Sequence, residues 1–154
     1  MHIEILEIRR FMSVTPTTDE QYMLELINRA RANPSAEAAG DGIALNEGLP
    51  AGTISANAKQ PLAFNTDLIT SARGHSQFML DNQVFQHNGP GNTDPGTRMQ
   101  QAGYDFTGNS SWGENISDLG STGSLDSNSA TAQEHRNLFI DSSEPGRGHR
   151  TNIE

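Results

Sequence analysis

The 154-residue sequence contains no cysteine, and its basic and apolar residues are scarce. The absence of cysteine excludes a disulfide framework and thiolate chemistry. Because 19 acidic residues outnumber 10 basic ones and give a net charge of −9, we expect no nucleic-acid partner. No apolar run approaches the roughly 20 residues that span a bilayer, which predicts no transmembrane segment. Only 33% of the residues are hydrophobic, so we expect a small core beside long loops.

The first seven residues have neither a basic region nor a continuous apolar stretch, so they do not resemble a signal peptide. We therefore expect either that the protein is extracellular and is secreted without an N-terminal signal, or that it is cytoplasmic. We interpret residues 1–17 as an N-terminal extension and residues 18–154 as a single domain.

Four segments have the apolar spacing and the capping residues of helices. Thr18 and Gln21 predict a capping box at the start of the first segment. A short helical turn is expected at 36–39 within the irregular stretch 35–60, and a short strand at 110–117. Helices with few, late strands indicate an α+β fold. The predicted helices cover 18–33, 65–82, a segment opened by Asp94-Pro95 and closed by Gly103, and 129–140.

The common metal, phosphate and nucleophile motifs are absent, so single ionisable residues have to be judged by their positions. His75 and His135 lie on apolar helix faces, where packed core histidines are more common than ligands. His87 and His149 lie in loops between helices, which suits ligation or proton transfer better. Glu114 lies in the predicted strand beside Trp112, so it is either an exposed residue or a deliberately buried acid.

Taken in order, eight short segments of this sequence resemble the CAP superfamily, which comprises the cysteine-rich secretory, antigen 5 and pathogenesis-related (SCP-like) domains. The lack of cysteine and the His-Arg pairs near the end are similar to its bacterial branch. The resemblance covers about residues 19–153. The segments are 23–31, Pro61-Leu62-Ala63-Phe64-Asn65, His75-Ser76, Phe85-x-His87, Gly103-Tyr104, Gly113-Glu114-Asn115-Ile116, His135-Arg136 and Gly148-His149-Arg150-x-Asn152-Ile153.

The resemblance implies an α-β-α sandwich with a central cleft lined by two histidines and two glutamates. His87, Glu114 and His149 match the family's motif positions. The second glutamate is matched by spacing to Glu134, with Glu144 as a possible substitute. The implied function is a binding module in which His87 and His149 hold Zn²⁺ or another divalent metal.

Two other functions remain open at this point. The first is a metal-dependent hydrolase of peptides or esters that uses Glu114 and Glu134 as its catalytic acid and base. The second is a scaffold module whose cleft is idle. The ligand of a binding module could be a small molecule, a lipid or a protein. Since the family's last strands normally follow the Gly-His segment, the domain is expected to be C-terminally incomplete, and a homodimer could cover the exposed sheet edge.

Overall fold

The computed structural model describes residues 14–120, 123 and 126–154, and within them the chain is helical. No strand is present in the described residues, and no helix among them is both long and apolar enough to cross a membrane. Most of the predicted N-terminal extension, residues 1–13, lies outside the described residues. The helices are α1 (Thr18–Ala32), α2 (Pro34–Gly40), α3 (Thr66–Asn82), a 3-10 turn (Pro90–Asn92), α4 (Pro95–Gln101), α5 (Ser127–Ile140) and α6 (Gly148–Ile153).

Helix α1 begins with a capping box one residue earlier than predicted. Thr17, not Thr18, is the N-cap; its hydroxyl accepts from the Glu20 backbone amide at 3.2 Å, and the Glu20 carboxylate accepts from the Thr17 amide at 2.7 Å. Glu20 also binds Arg73 of α3 through two contacts of 2.6 and 2.7 Å. This long-range ion pair favours the register that uses Glu20, and it lowers the pKa of Glu20 to about 2.

The boundaries of α3 and α4 are those that their local sequence predicts. The Asn65 side chain caps α3 by accepting from the backbone amides of its first turn. Asp94 caps α4 in the same way, and Gly103 lies just beyond its C-terminus with φ +107, a conformation that favours glycine. The predicted helical turn at 36–39 is also confirmed, as part of α2.

The hydrophobic core is small and lies where α1, α2, α5 and α6 meet. Its fully packed members are Ala30, Ala38, Phe139 and Ile153, so small side chains let the helices approach closely. His135 is 2% exposed and its ring stacks on Phe139, which confirms the prediction of a core position. Burial lowers the pKa of His135 because the protonated ring would be poorly solvated.

Arg150 of α6 is the largest fully buried side chain, and it faces backbone carbonyls instead of a carboxylate. It donates to Phe139 and Ile140 at the end of α5, and to Leu45 and Glu47 in the loop after α2. The carbonyls at a helix C-terminus carry partial negative charge, which compensates the buried guanidinium. Arg150 thereby fixes α6 against both α5 and this loop.

The predicted strand at 110–117 is wrong, because this segment has no regular secondary structure and no described strand is available to form a ladder with it. Side-chain amides attach it to α6 instead. Asn115 donates to the His149 carbonyl at 3.1 Å, and Asn152 donates to the Asn115 side chain at 2.8 Å. A Cβ atom at Gly113 would lie 2.0 Å from the Asn152 Oδ1 atom, so only glycine permits this approach. The described residues thus contain helices only, and the strands of the predicted α-β-α sandwich are absent from them.

Candidate functional site

A cleft of about 540 Å³ lies between the segment after α3, the segment 113–116, and the N-terminus of α6. Three residues predicted from the sequence, His87, Glu114 and His149, line it together with Glu144. Apolar side chains and amides complete the wall; they are Phe85, Ile116, Pro145, Gln86, Asn115 and Asn152.

Glu114 is the centre of a charged cluster on one side of the cleft. Its Oε1 atom accepts from Nδ1 of His87 at 3.0 Å, and its Oε2 atom forms an ion pair with Arg98. Nε2 of His75 lies 4.0 Å from the same Oε1 atom. The Glu114 side chain is 15% exposed and paired, so of the two alternatives the structure is nearer to the enclosed acid than to the exposed residue.

Arg98 holds this side of the site together, although no sequence motif pointed to it. It is 7% exposed, and besides Glu114 it donates to the carbonyl of His87 at 2.6 Å and to that of Thr93 at 3.1 Å. One guanidinium therefore fixes both the carboxylate and the backbone of its histidine partner. Five N–H donors in a planar fork make arginine suited to such a position.

His149 is held in a similar way on the other side by Asp141. Nδ1 of His149 lies 2.8 Å from Oδ1 of Asp141, and the His149 backbone amide donates to Oδ2 at 2.9 Å. The Asp141 side chain is 2% exposed, at the C-terminus of α5. The sequence places Asp141 only at the start of a loop, so its contact with His149 was not predicted.

The two contacts favour one tautomer of each neutral ring. A carboxylate accepts hydrogen bonds only, so the Nδ1 atoms of His87 and His149 carry the proton in the neutral rings. Each Nε2 atom then keeps its lone pair, and neither has a hydrogen-bond partner in the part of the chain that the structure describes. A carboxylate on one ring nitrogen and a free lone pair on the other is the usual arrangement of a metal-binding histidine.

The cleft wall contains two side chains of a type that binds divalent metals. Two neutral imidazoles in one cleft are ligands that Zn²⁺ accepts. Within residues 14–120, 123 and 126–154, no three His, Asp or Glu side chains are grouped closely enough to hold a metal by themselves. The remaining positions would therefore belong to water or to a ligand.

Glu134 is not brought together with the other three predicted residues. It lines two neighbouring cavities, one of about 550 Å³ beside Met79 and Leu80, and one of about 220 Å³ between α1 and α5. Burial raises its pKa, and the negative charge of Asp118 adds to the effect. The second glutamate on the cleft wall is Glu144, the substitute considered from the sequence.

His75 is buried, as predicted, and it contacts the backbone of the segment that carries His87. It is 3% exposed, its Nε2 atom lies 2.9 Å from the carbonyl of Gln86, and its ring stacks on Phe78. The contact with Gln86 fixes the chain immediately before His87. His75 thus belongs to the packing beneath the cleft and not to its wall.

Comparison with known proteins gives one match. The model of the CAP family, described as the cysteine-rich secretory protein family, matches residues 24–153. No curated protein and no solved structure matches the chain.

Proposed function

The chain belongs to the CAP (cysteine-rich secretory protein) family, and we propose that it is a bacterial extracellular binding module whose cleft takes a divalent metal ion such as Zn²⁺. His87 and His149 would hold the ion. One observation supports this proposal most strongly. Both rings line the same cleft, and in each of them Nδ1 contacts a carboxylate while Nε2 has no hydrogen-bond partner among the described residues.

The two carboxylates that contact the histidines orient the rings of this site. Glu114 and Asp141 fix the planes and the tautomers of the two imidazoles before any ligand arrives, which reduces the entropy lost on binding. A bound metal would supply Lewis acidity towards an oxygen or nitrogen of the ligand. Phe85, Ile116 and Pro145 provide an apolar wall against which the rest of a small ligand could pack.

The geometry favours binding over hydrolysis. Both carboxylate oxygens of Glu114 are engaged, one by His87 and one by Arg98, so neither is free to accept a proton from a water or a substrate. Glu134 lines the two neighbouring cavities and is not part of the wall of this cleft. The acid and base of the hydrolase alternative are therefore poorly placed for that role.

Calorimetric titration with Zn²⁺ at neutral pH tests the proposal. The wild-type protein should bind one ion per chain, and the double variant His87→Gln, His149→Gln should lose this binding. Glu134→Gln is a matched control, since it removes a carboxylate outside the cleft and should bind normally. Equal binding by the double variant would contradict the proposed ligands, and a folded wild-type protein that binds no metal would favour an idle cleft.

The pH dependence provides a second check. Protons compete with a metal ion for an imidazole nitrogen, so the affinity should fall on acidification. An affinity that does not change between neutral and acidic pH would exclude histidine ligation.

A further inference from the structure

Asp141 makes two different hydrogen bonds to one residue. Its Oδ1 atom faces the His149 ring, and its Oδ2 atom accepts from the His149 backbone amide. His149 is the second residue of α6, whose N-cap, Arg147, makes no side-chain capping bond. One oxygen of Asp141 therefore caps α6 from outside the helix, while the other acts on the imidazole.

The backbone around Asp141 is held in an uncommon conformation. Asp141 has φ +51 and Arg147 has φ +50, both in the left-handed region that few residues other than glycine adopt. Arg147 stabilises the intervening loop by donating to the carbonyls of Asp141, Ser142 and Glu144 at 2.8–2.9 Å. Non-glycine residues in this region persist where the surrounding contacts fix them, and they are common at functional sites.

A purely structural cap would not need the contact with the ring. The α6 amide requires one acceptor, which Oδ2 supplies, and a serine or asparagine could supply it equally well. The Oδ1 contact is different, because only an acceptor opposite Nδ1 keeps the proton on that nitrogen and leaves the lone pair on Nε2.

We infer that Asp141 is the positioning residue of His149: its buried carboxylate fixes the ring as the Nδ1–H tautomer and leaves Nε2 unprotonated for the ligand. The part that concerns metal affinity rests on the proposed function. The part that concerns the ring is a property of the metal-free protein and can be measured without any ligand.

Asp141→Asn separates the two hydrogen bonds. The backbone amide of His149 can only donate, so the single amide oxygen of asparagine should remain opposite it. The asparagine NH₂ group then faces the ring, and Nδ1 has to become the acceptor. The His149 ring should change to the Nε2–H tautomer while the cap of α6 is kept. The matched control is Asp126→Asn, which removes the same charge at the N-cap of α5, where asparagine caps equally well.

The measurement is the ¹⁵N spectrum of the imidazole nitrogens at a pH where His149 is neutral, with its signals assigned by their loss in His149→Gln. The wild-type protein and Asp126→Asn should show His149 as Nδ1–H, and Asp141→Asn should show it as Nε2–H. Zn²⁺ affinity should fall about 10–100-fold in Asp141→Asn only.

Two results would overturn the inference. One is a wild-type His149 that is mainly Nε2–H, which is decisive even if the variant does not fold. The other is a folded Asp141→Asn protein in which the tautomer is unchanged. If the tautomer changes as expected but neither protein binds Zn²⁺, the role of Asp141 is supported and the proposed metal function fails.

Discussion

Replacing Arg98 by methionine should cost more stability than any other loss of a single ion pair described above. The change keeps the length of the apolar stem but removes the ion pair with Glu114 and the hydrogen bonds to the carbonyls of His87 and Thr93. Arg98 and Glu114 have side chains that are only 7% and 15% exposed, so water cannot replace the lost donors fully. Removing one partner of a buried pair typically costs about 3–5 kcal/mol.

The contacts that remain place the expected loss at the lower end of that range, about 3 kcal/mol. Glu114 keeps its hydrogen bond to His87, and part of its carboxylate still reaches the cleft. For a domain of this size, each kcal/mol corresponds to about 2–4 °C in Tm. The variant should therefore melt roughly 6–12 °C below the wild-type protein.

Urea denaturation followed by circular dichroism at 222 nm measures this loss, with Arg73→Met as the matched control. Arg73 also binds a glutamate through two contacts, but its side chain is 40% exposed, so solvent screens the pair. A loss of less than about 1 kcal/mol in Arg98→Met would be the value of a surface pair and would refute the reasoning from burial. Equal losses in the two variants would refute it as well.

Three further predictions concern the packing around the site. The folded-state pKa of Glu20 is lowered from 4.5 to about 2, so its pairing stabilises the protein above pH 4.5. This contribution is lost as the pH falls towards 2. When stability is measured over this acid range, Arg73→Met should therefore lose less stability than the wild-type protein. Arg150→Lys leaves buried carbonyls without donors and should lower the free energy of unfolding in urea by at least about 2 kcal/mol, whereas an unchanged midpoint would show that the four carbonyl contacts matter little. Gly113→Ala should displace the Asn152 side chain and cost about 1 kcal/mol, and unchanged Asn152 side-chain NMR signals would contradict this.

The helices could be predicted where their signals are local. Asn65 and Asp94 each precede a helix and cap it through their own side chains, so the sequence is sufficient there. The N-cap of α1 is displaced by one residue from the predicted Thr18, because Thr17 and Thr18 are both suitable caps. The choice between them depends on Glu20, which is also bound by Arg73, 53 positions along the chain.

The errors have non-local causes. The segment 110–117 has residues typical of a strand, but a strand requires a partner, and in the described part of the chain it binds α6 through side-chain amides. Helix α6 was not predicted because the residue that caps it, Asp141, lies eight positions before His149 and is placed by a left-handed turn. His87, Glu114 and His149 could be found through the family resemblance, whereas Arg98 and Asp141 could not.

The positions of these two residues explain how the site is organised. Helix α3 packs on α4, while α1 packs on α2, α5 and α6, so the cleft lies between two groups of helices. Arg98 and Glu114 orient His87 on one side, and Asp141 orients His149 on the other. The segment 113–116 connects them, because Glu114 contacts the first histidine and Asn115 binds the carbonyl of the second. Each ring is thus fixed by its own carboxylate, while the separation of the rings depends on one short segment. Substitutions of Gly113 or Asn115, which leave both carboxylates in place, should therefore alter ligand affinity more than they alter the tautomer of either ring.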